Sequence, residues 1–144
     1  MIKEIYKKIK KYQRIIIYGH VRPDGDCYGA QFGLQNIIKN TFPEKDVFVT
    51  GETSDFVSFV GTPDIIVGQS NLEDSFYEDS LSIVVDTANK DRISNPKYSL
   101  GKEIIKIDHH IPVDEYGDIQ WVDTSFPSCA QMIAYMSTQV KDFE

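Results

Sequence analysis

Acidic and imidazole side chains stand in this sequence where three apolar runs end, at RIIIY, LSIVV and KEIIKI. Aspartate is unfavourable in a strand and costly to bury without a partner, so such residues indicate either solvated turns or a bound cation. Imidazole and carboxylate together are suitable ligands for Mn, Fe, Co or Zn. The residues that could do this chemistry are His20, Asp24, Asp26, Asp86, Asp108, His109 and His110.

The three apolar runs are typical of strands buried on both faces of a parallel sheet, and helical patterns lie between them. Parallel strands joined by right-handed crossovers finish at the same edge of the sheet, where open α/β folds bind ligands. We therefore predict an α/β fold with a mostly parallel β-sheet flanked by helices. Its acidic strand ends should converge, and their mutual repulsion would be relieved by cations.

Other segments predict the elements around these strands. Apolar residues at helical spacing predict an amphipathic helix over 2–12 and a second helix from about 28 to 40. The sequences DVFVT and DIIVG predict short strands, and DFVSFVG predicts a helical turn. A last helix should run from Ser125 to the end of the chain, with Pro127 near its start.

Each acidic group alone also has a purely structural interpretation. The sequence PDGD is common in turns, and Asp86 could cap a following helix. A pair of histidines after a strand is more often packed or exposed than bound to a ligand. All three groups end apolar strands in one short domain, however, and this joint occurrence favours a metal site.

Composition restricts the class of protein. The 144 residues carry a formal charge of -7, which argues against a broad electrostatic grip on a long nucleic acid. No apolar run is long enough to span a membrane and no signal peptide is evident, so we expect a cytoplasmic protein. Cys27 and Cys129 form no C-x-x-C pattern, and we interpret both as reduced, with Cys27 as a spacer.

Three motifs resemble those of the DHH phosphoesterase superfamily, in the right order and over about residues 12–135. They are GHVRPDGDCYGA, VVDTANKDRIS and IDHH. The first two are most similar to bacterial nanoRNases with 3'-phosphoadenosine 5'-phosphate phosphatase activity and to exopolyphosphatase-related proteins. RecJ-type exonucleases and manganese-dependent pyrophosphatases are more distant relatives. The resemblance implies a phosphoesterase that acts on short oligonucleotides or 3'-phosphoadenosine 5'-phosphate through two divalent cations, usually Mn2+.

The resemblance also implies a role for each motif residue. His20 and Asp24 would hold the first cation, Asp26 and His109 the second, and Asp86 would bridge both. Further roles fall to Asp108, which would fix His109, to His110, which would face the substrate phosphate, and to Arg92, for phosphate or a local carboxylate.

A later segment, TSFPSCAQMI, also has a counterpart in the relatives, where it starts a helix near the site. For Ser125, Ser128 and Cys129 we favour packing over a phosphate-facing role. Asp123 is interpreted as part of a turn or cap rather than as a ligand.

The resemblance also predicts what residues 1–144 lack. Relatives carry a further metal-binding aspartate and a C-terminal DHHA1 domain that binds substrate, so we expect this chain to be an incomplete N-terminal DHH domain. The second cation should then bind weakly, and the chain alone should have little activity. An exposed sheet edge would favour a homodimer. Alternatives are a metal-dependent nucleotide-binding or interaction module without turnover, and a manganese-dependent pyrophosphatase or exopolyphosphatase.

Overall fold

A six-stranded parallel sheet forms the centre of the computed structural model, which describes residues 1–140 and 142–143. The strands are β1 (Arg14–Tyr18), β2 (Asp46–Gly51), β3 (Ile65–Ile66), β4 (Leu81–Val85), β5 (Glu103–Asp108) and β6 (Ile119–Val122). Their order in space is β3-β2-β1-β4-β5-β6, and every neighbouring pair is parallel. The predicted α/β class is confirmed, with a sheet that is entirely parallel over the described residues.

Helices cover both faces of this sheet. They are α1 (Ile2–Lys11), α2 (Gly25–Thr41), α3 (Asp74–Glu78), α4 (Cys129–Gln139) and two 3-10 helices, Lys90–Arg92 and Pro96–Leu100. The larger core cluster joins α1, α2 and α4 to one face of the sheet, and a smaller aromatic-rich cluster lies on the other face. Among the described residues, no helix has the length and apolar character needed to cross a bilayer.

The sequence of β1 explains why it lies in the middle of the sheet. Ile15 and Ile17 pack into the larger core cluster, whereas Ile16 and Tyr18 pack into the smaller one on the opposite face. All four side chains are fully buried. Because successive strand residues point to opposite faces, a strand that is apolar at every position must be covered on both sides.

The strand order reverses direction at β1, because β2 lies on one side of it and β4 on the other. Open α/β sheets form a crevice at the carboxyl ends of the strands where such a reversal occurs. The loops after β1, β4 and β5 therefore meet beside this crevice. These are the loops that carry the histidines and aspartates singled out in the sequence.

Several element boundaries differ from the sequence predictions. Helix α2 begins at Gly25 rather than near residue 28, because the Asp24 carboxylate caps it by accepting the N–H of Cys27 at 2.9 Å. Helix α4 begins at Cys129 rather than at Ser125, with Ser128 as its cap. Residues 55–60 form turns, where a helical turn was predicted, and β6 was not predicted at all.

Candidate metal centre

The buried carboxylate of Asp86 lies between two histidines that come from different strands. Its Oδ2 is 3.3 Å from Nε2 of His20, which follows β1, and its Oδ1 is 3.3 Å from Nε2 of His109, which follows β5. Asp86 itself follows β4 and is only 3% exposed. The structure thus brings together the three sequence-distant groups, with Asp86 in the central position.

His20 and Asp24 form one side of the cluster. Nε2 of His20 is 3.7 Å from Oδ1 of Asp24, and Nδ1 of His20 donates to the carbonyl of Val21 at 2.7 Å. Because Nδ1 makes this donation, Nε2 is the nitrogen that faces the two carboxylates, and it can bind a cation that displaces its proton. The two residues predicted to hold a first cation thus lie close to each other, and His20 also lies close to Asp86.

Asp26 and His109 form the other side. Oδ2 of Asp26 is 3.3 Å from Nε2 of His109. The Asp26 carboxylate also accepts the backbone N–H groups of Cys129 and Ala130, at 3.0 and 2.8 Å, at the start of α4. These amides and the positive end of the helix dipole hold the carboxylate in a fixed orientation. Sequence reasoning missed this link, because it joins residues about a hundred positions apart.

The backbone at Asp86 is unusual for a residue with a side chain. Its φ is 58°, in the left-handed region that aspartate and asparagine tolerate better than most residues. Its N–H donates to the carbonyl of Ile107 at 2.9 Å, which ties this residue to β5. Such conformations are common at functional sites, where the surrounding structure enforces them.

The pKa values in the cluster indicate that its side chains do not supply enough positive charge to balance its carboxylates. Burial raises the pKa of Asp86, although the nearby His20 counteracts the rise. The hydrogen bond to Asp86 raises the pKa of His20 to about 11, with a smaller contribution from Cys27. Each group therefore retains protons more strongly than usual, and a cation bound here would displace them.

Asp108 is fully buried and contacts His110 rather than His109. Its Oδ1 accepts Nδ1–H of His110 at 2.7 Å. The contact that the structure shows is therefore with the neighbouring histidine, and the role of Asp108 in fixing His109 stays a prediction.

A cavity of about 470 Å³ opens beside the cluster. Its lining includes two predicted substrate residues, His110 and Arg92, and two exposed aliphatic residues, Ile111 and Val113, that sequence reasoning had passed over. The full lining is His20, Asp24, Asp86, Thr87, Ala88, Asn89, Arg92, His110, Ile111 and Val113. Within the described residues no ion pair joins Arg92 to a carboxylate, which leaves its charge available to a ligand.

The donor set fits divalent cations. Oδ1 of Asp86 and Oδ2 of Asp108 are buried and lack a hydrogen-bond partner among the described residues. Buried carboxylate oxygens are normally satisfied, so an unpartnered one beside several imidazoles is a position that a cation can complete. Imidazole nitrogen and carboxylate oxygen are ligands that manganese, iron, cobalt and zinc accept.

The residues before α4 have structural roles. The Asp123 carboxylate accepts the N–H of Ser125 at 2.9 Å and its hydroxyl at 2.6 Å, which forms a local turn as predicted. Ser128 caps α4, and the thiol of Cys129 donates to the carbonyl of Ile107 at 3.4 Å. The backbone N–H groups of Cys129 and Ala130 donate to the carboxylate of Asp26.

Glycine at position 19 keeps space for the groups behind His20. A Cβ atom there would lie 2.5 Å from Sγ of Cys27 and 2.9 Å from the side-chain amide of Gln31. We expect Gly19→Ala to lower the free energy of unfolding by roughly 1–3 kcal/mol, as overpacking of a core usually does. Chemical denaturation of the metal-free protein measures this loss.

Gly25→Ala is the matched control, because a Cβ atom at Gly25 meets nothing within 4 Å. It adds the same methyl group at the first residue of α2 and should leave stability nearly unchanged. Equal unfolding free energies for the two variants would show that the space behind His20 is not restricted.

Comparison with known proteins identifies a family to which this sequence is similar. The model described as "DHH family, N-terminal domain" matches residues 14–144. A bifunctional oligoribonuclease and PAP phosphatase of Bacillus subtilis is 41% identical over 139 residues, which cover 96% of this chain and 42% of that protein. A probable protein of the same description from Streptococcus mutans is 42% identical and covers 95% and 42% respectively. The chain thus spans less than half the length of these relatives.

Two solved structures share the fold. An exopolyphosphatase-related protein from Bacteroides fragilis matches 98% of this chain and 44% of its own, with a TM-score of 0.83 and 23% identity. A putative family II inorganic pyrophosphatase from Methanococcus jannaschii matches 88% of this chain and 38% of its own, with a TM-score of 0.53 and 22% identity. At this level of identity the likeness concerns the fold alone.

Proposed function

The chain belongs to the DHH family, and from that membership we propose that it contributes the metal centre of a metal-dependent phosphoesterase. The proposed reaction is hydrolysis of phosphoester bonds in short oligonucleotides or in 3'-phosphoadenosine 5'-phosphate. The observation that carries this proposal is the carboxylate of Asp86, which lies 3.3 Å from an imidazole nitrogen on either side. The description of the Bacillus subtilis relative as an oligoribonuclease and PAP phosphatase supports the substrate class.

Two divalent cations, which we propose to be Mn2+, would occupy this centre. His20 and Asp24 would hold one, Asp26 and His109 the other, and Asp86 would contact both. Such a pair, about 3.5–4 Å apart in known enzymes, supplies a water of lowered pKa and neutralises the charge on the phosphoryl oxygens.

The remaining polar residues of the cavity would bind and orient the substrate. Because Nδ1 of His110 donates to the buried Asp108, its Nε2 is left for a phosphate or leaving-group oxygen at the cavity wall. Arg92 adds a positive charge on the same wall, with geometry suited to phosphate oxygens. Neither side chain needs to act as a nucleophile.

The shape of the cavity favours a substrate with an organic part over a bare pyrophosphate. Ile111 and Val113 are 80% and 67% exposed and form an apolar rim on the lining. The rim is anchored, since Asp114 accepts the N–H of Lys90 at 2.9 Å and the Tyr116 hydroxyl donates to the carbonyl of Thr87 at 2.5 Å. An apolar surface held in place beside phosphate-binding groups suits a nucleoside.

We expect the double variant Ile111→Ser/Val113→Ser to raise the KM for 3'-phosphoadenosine 5'-phosphate roughly tenfold, because a few lost apolar contacts change recognition by that order. Its kinetics with pyrophosphate should be unchanged, because pyrophosphate has no apolar part. An assay of phosphate release with Mn2+ measures the kinetics with each substrate. Equilibrium binding of the same compounds gives a second readout.

Phe56→Ser serves as the control, since Phe56 is 91% exposed and does not line the cavity. An equal loss with both substrates would contradict the role of the rim. Release from pyrophosphate but not from the nucleotide would favour the pyrophosphatase or exopolyphosphatase alternative.

A second candidate function is metal-dependent nucleotide binding without turnover. It is favoured by the second cation position, where Asp26 already accepts two backbone amides and so has less capacity for a metal. We propose that this cation binds more weakly than the first and that the chain alone has little activity. Nucleotide affinity that depends on Mn2+ while no phosphate accumulates would identify this function.

Two further features support proposals about the oligomeric state and the location of the protein. Strand β6 is at an edge of the sheet, and a cavity lined in part by Trp121, Phe126 and Tyr135 lies near it, which supports self-association as a homodimer. Both cysteines are buried and unpaired, which supports a reducing, cytoplasmic location.

A further inference from the structure

Cys27, which the sequence analysis interpreted as a spacer, lies beside the proposed position of the first cation. His20, Cys27 and Asp86 each place one potential ligand atom within 4.8 Å of the other two. Cys27 is fully buried in the first turn of α2. The sulfur therefore faces the same histidine and carboxylate that are proposed to hold the first cation.

The orientation of the sulfur is fixed by its other neighbours. The side-chain amide of Gln31 donates to the carbonyls of Ile17 and Thr50 at 3.2 and 3.0 Å, so its oxygen is turned towards Cys27. The thiol donates to that oxygen at 3.6 Å, and Gly19 lies against Sγ on another side. With its proton directed at Gln31, the sulfur has its lone pairs left for the side of His20.

The cysteine is not an isolated feature, because it lies beside a buried carboxylate. Asp86 is 3% exposed, its Oδ2 lies 3.3 Å from Nε2 of His20, and its other oxygen, Oδ1, has no hydrogen-bond partner among the described residues. Nε2 is the nitrogen of His20 on this side, since Nδ1 donates to the carbonyl of Val21. Nitrogen, oxygen and sulfur donors thus meet at one point, a mixed set that suits soft or borderline cations.

We propose that the first cation has two overlapping positions of different chemical preference. The outer position, formed by His20, Asp24 and Asp86, suits a hard ion such as Mn2+. The inner position, formed by His20, Cys27 and Asp86, takes a thiophilic ion such as Cd2+, Zn2+ or Co2+. Because the two positions share His20 and Asp86, only one of them is filled at a time.

The chemistry of sulfur explains why the two kinds of ion separate. Binding at the inner position breaks the S–H bond, forms a metal–sulfur bond and releases the proton to solvent. The oxygen of Gln31 then loses its donor and faces a thiolate, which is unfavourable. A thiophilic ion offsets this cost through the strength of its bond to sulfur, whereas a hard ion gains little from sulfur and leaves the thiol protonated.

The inference rests on the proposed function only in the identity of the outer position. It adds that a thiophilic ion competes with Mn2+ and draws the shared His20 and Asp86 towards α2. A chain with Cd2+ or Zn2+ at the inner position would therefore lose Mn2+ from the outer one.

The test compares Cd2+ and Mn2+ binding by the chain under a non-thiol reductant. Cd2+ should produce a thiolate-to-metal charge-transfer band in the ultraviolet, and Cys27→Ser should remove the band and weaken Cd2+ binding at least about tenfold. The same variant should leave Mn2+ affinity unchanged. Asp24→Asn should have the reverse effect, with weaker Mn2+ binding and an intact cadmium band.

Cys129→Ser is the matched control, since Cys129 is also fully buried but is not part of this ligand set. It should keep the band. X-ray absorption of the zinc-loaded wild-type protein should show a sulfur neighbour at about 2.3 Å, and it requires no variant to fold.

Absence of the sulfur neighbour, or a cadmium band that persists in Cys27→Ser, would overturn the inner position. In that case an intact response of Mn2+ to Asp24→Asn would leave the proposed function standing. Failure of the wild-type chain to bind Mn2+ at all would instead count against the proposed function.

Discussion

Asp86→Asn should weaken Mn2+ binding at both positions by at least about 100-fold, the upper end of what loss of a partner near a metal costs. Asp86 is the only residue of the cluster whose two carboxylate oxygens lie close to histidines from two different strands, in the part of the chain that the structure describes. The amide keeps the size of the side chain and tolerates the φ of 58°. It removes only the charge and one oxygen ligand.

The variant should be no less stable than the wild type without metal. A buried carboxylate with an unsatisfied oxygen is unfavourable in the absence of a cation, and the amide removes that charge. Calorimetric titration measures the affinity, and thermal denaturation with and without Mn2+ measures the stabilisation that metal adds. The wild type should be stabilised by Mn2+ and the variant should not.

Asp123→Asn gives a comparison for this effect. Asp123 is also an aspartate at the carboxyl end of a strand, but its carboxylate accepts Ser125 in a local turn. The Asp123→Asn variant should therefore leave Mn2+ affinity unchanged. Equal losses of Mn2+ affinity in Asp86→Asn and Asp123→Asn would mean that net negative charge, rather than a specific ligand, attracts the cation.

Asp26→Ala should have the largest effect on stability among the ligand variants, a loss of about 2–3 kcal/mol from the free energy of unfolding. The side chain accepts two amides of α4, at 3.0 and 2.8 Å, and a carboxylate bonded to N–H groups at a helix start is a strong capping interaction. Loss of this residue leaves the start of α4 without those acceptors. Urea denaturation of the metal-free chain measures the change.

Asp24→Ala provides the scale for that prediction. Asp24 also caps a helix, but it accepts a single amide at 2.9 Å and its side chain is 65% exposed, so its loss should cost about 1 kcal/mol. Asp26→Asn, which retains one oxygen acceptor, should recover part of the stability. Equal losses for Asp24→Ala and Asp26→Ala would show that the contact between Asp26 and α4 contributes nothing beyond an ordinary cap.

The apolar runs of the sequence were sufficient to predict most of the sheet. RIIIY, LSIVV and KEIIKI gave β1, β4 and β5, because a strand covered on both faces must be apolar at nearly every position. Strand β6 was missed because it has only four residues and only Trp121 among them is buried, so its pattern is weak. Because parallel strands end at the same edge of a sheet, the predicted strands were enough to predict that the acidic groups lie together.

The finer geometry of the site depends on contacts that no local pattern carries. The resemblance gave Asp108 a role in fixing His109, whereas the hydrogen bond of its carboxylate is with His110, and no local pattern distinguishes two histidines that follow the same strand. Sequence reasoning interpreted Cys27 as a spacer, although His20 lies beside it in the folded chain. The anchored rim at Ile111 and Val113 was hidden as well, because exposed aliphatic residues are common on protein surfaces.

The contact between Asp26 and α4 also has a bearing on synthesis at the ribosome. A nascent chain that has reached residue 110 already contains His20, Asp24, Asp26, Asp86 and His109, but not the amides of residues 129 and 130 that orient Asp26. Uptake of the second metal would therefore wait until α4 has left the exit tunnel and docked. Docking of α4 would then be the step that makes the centre ready for its second cation.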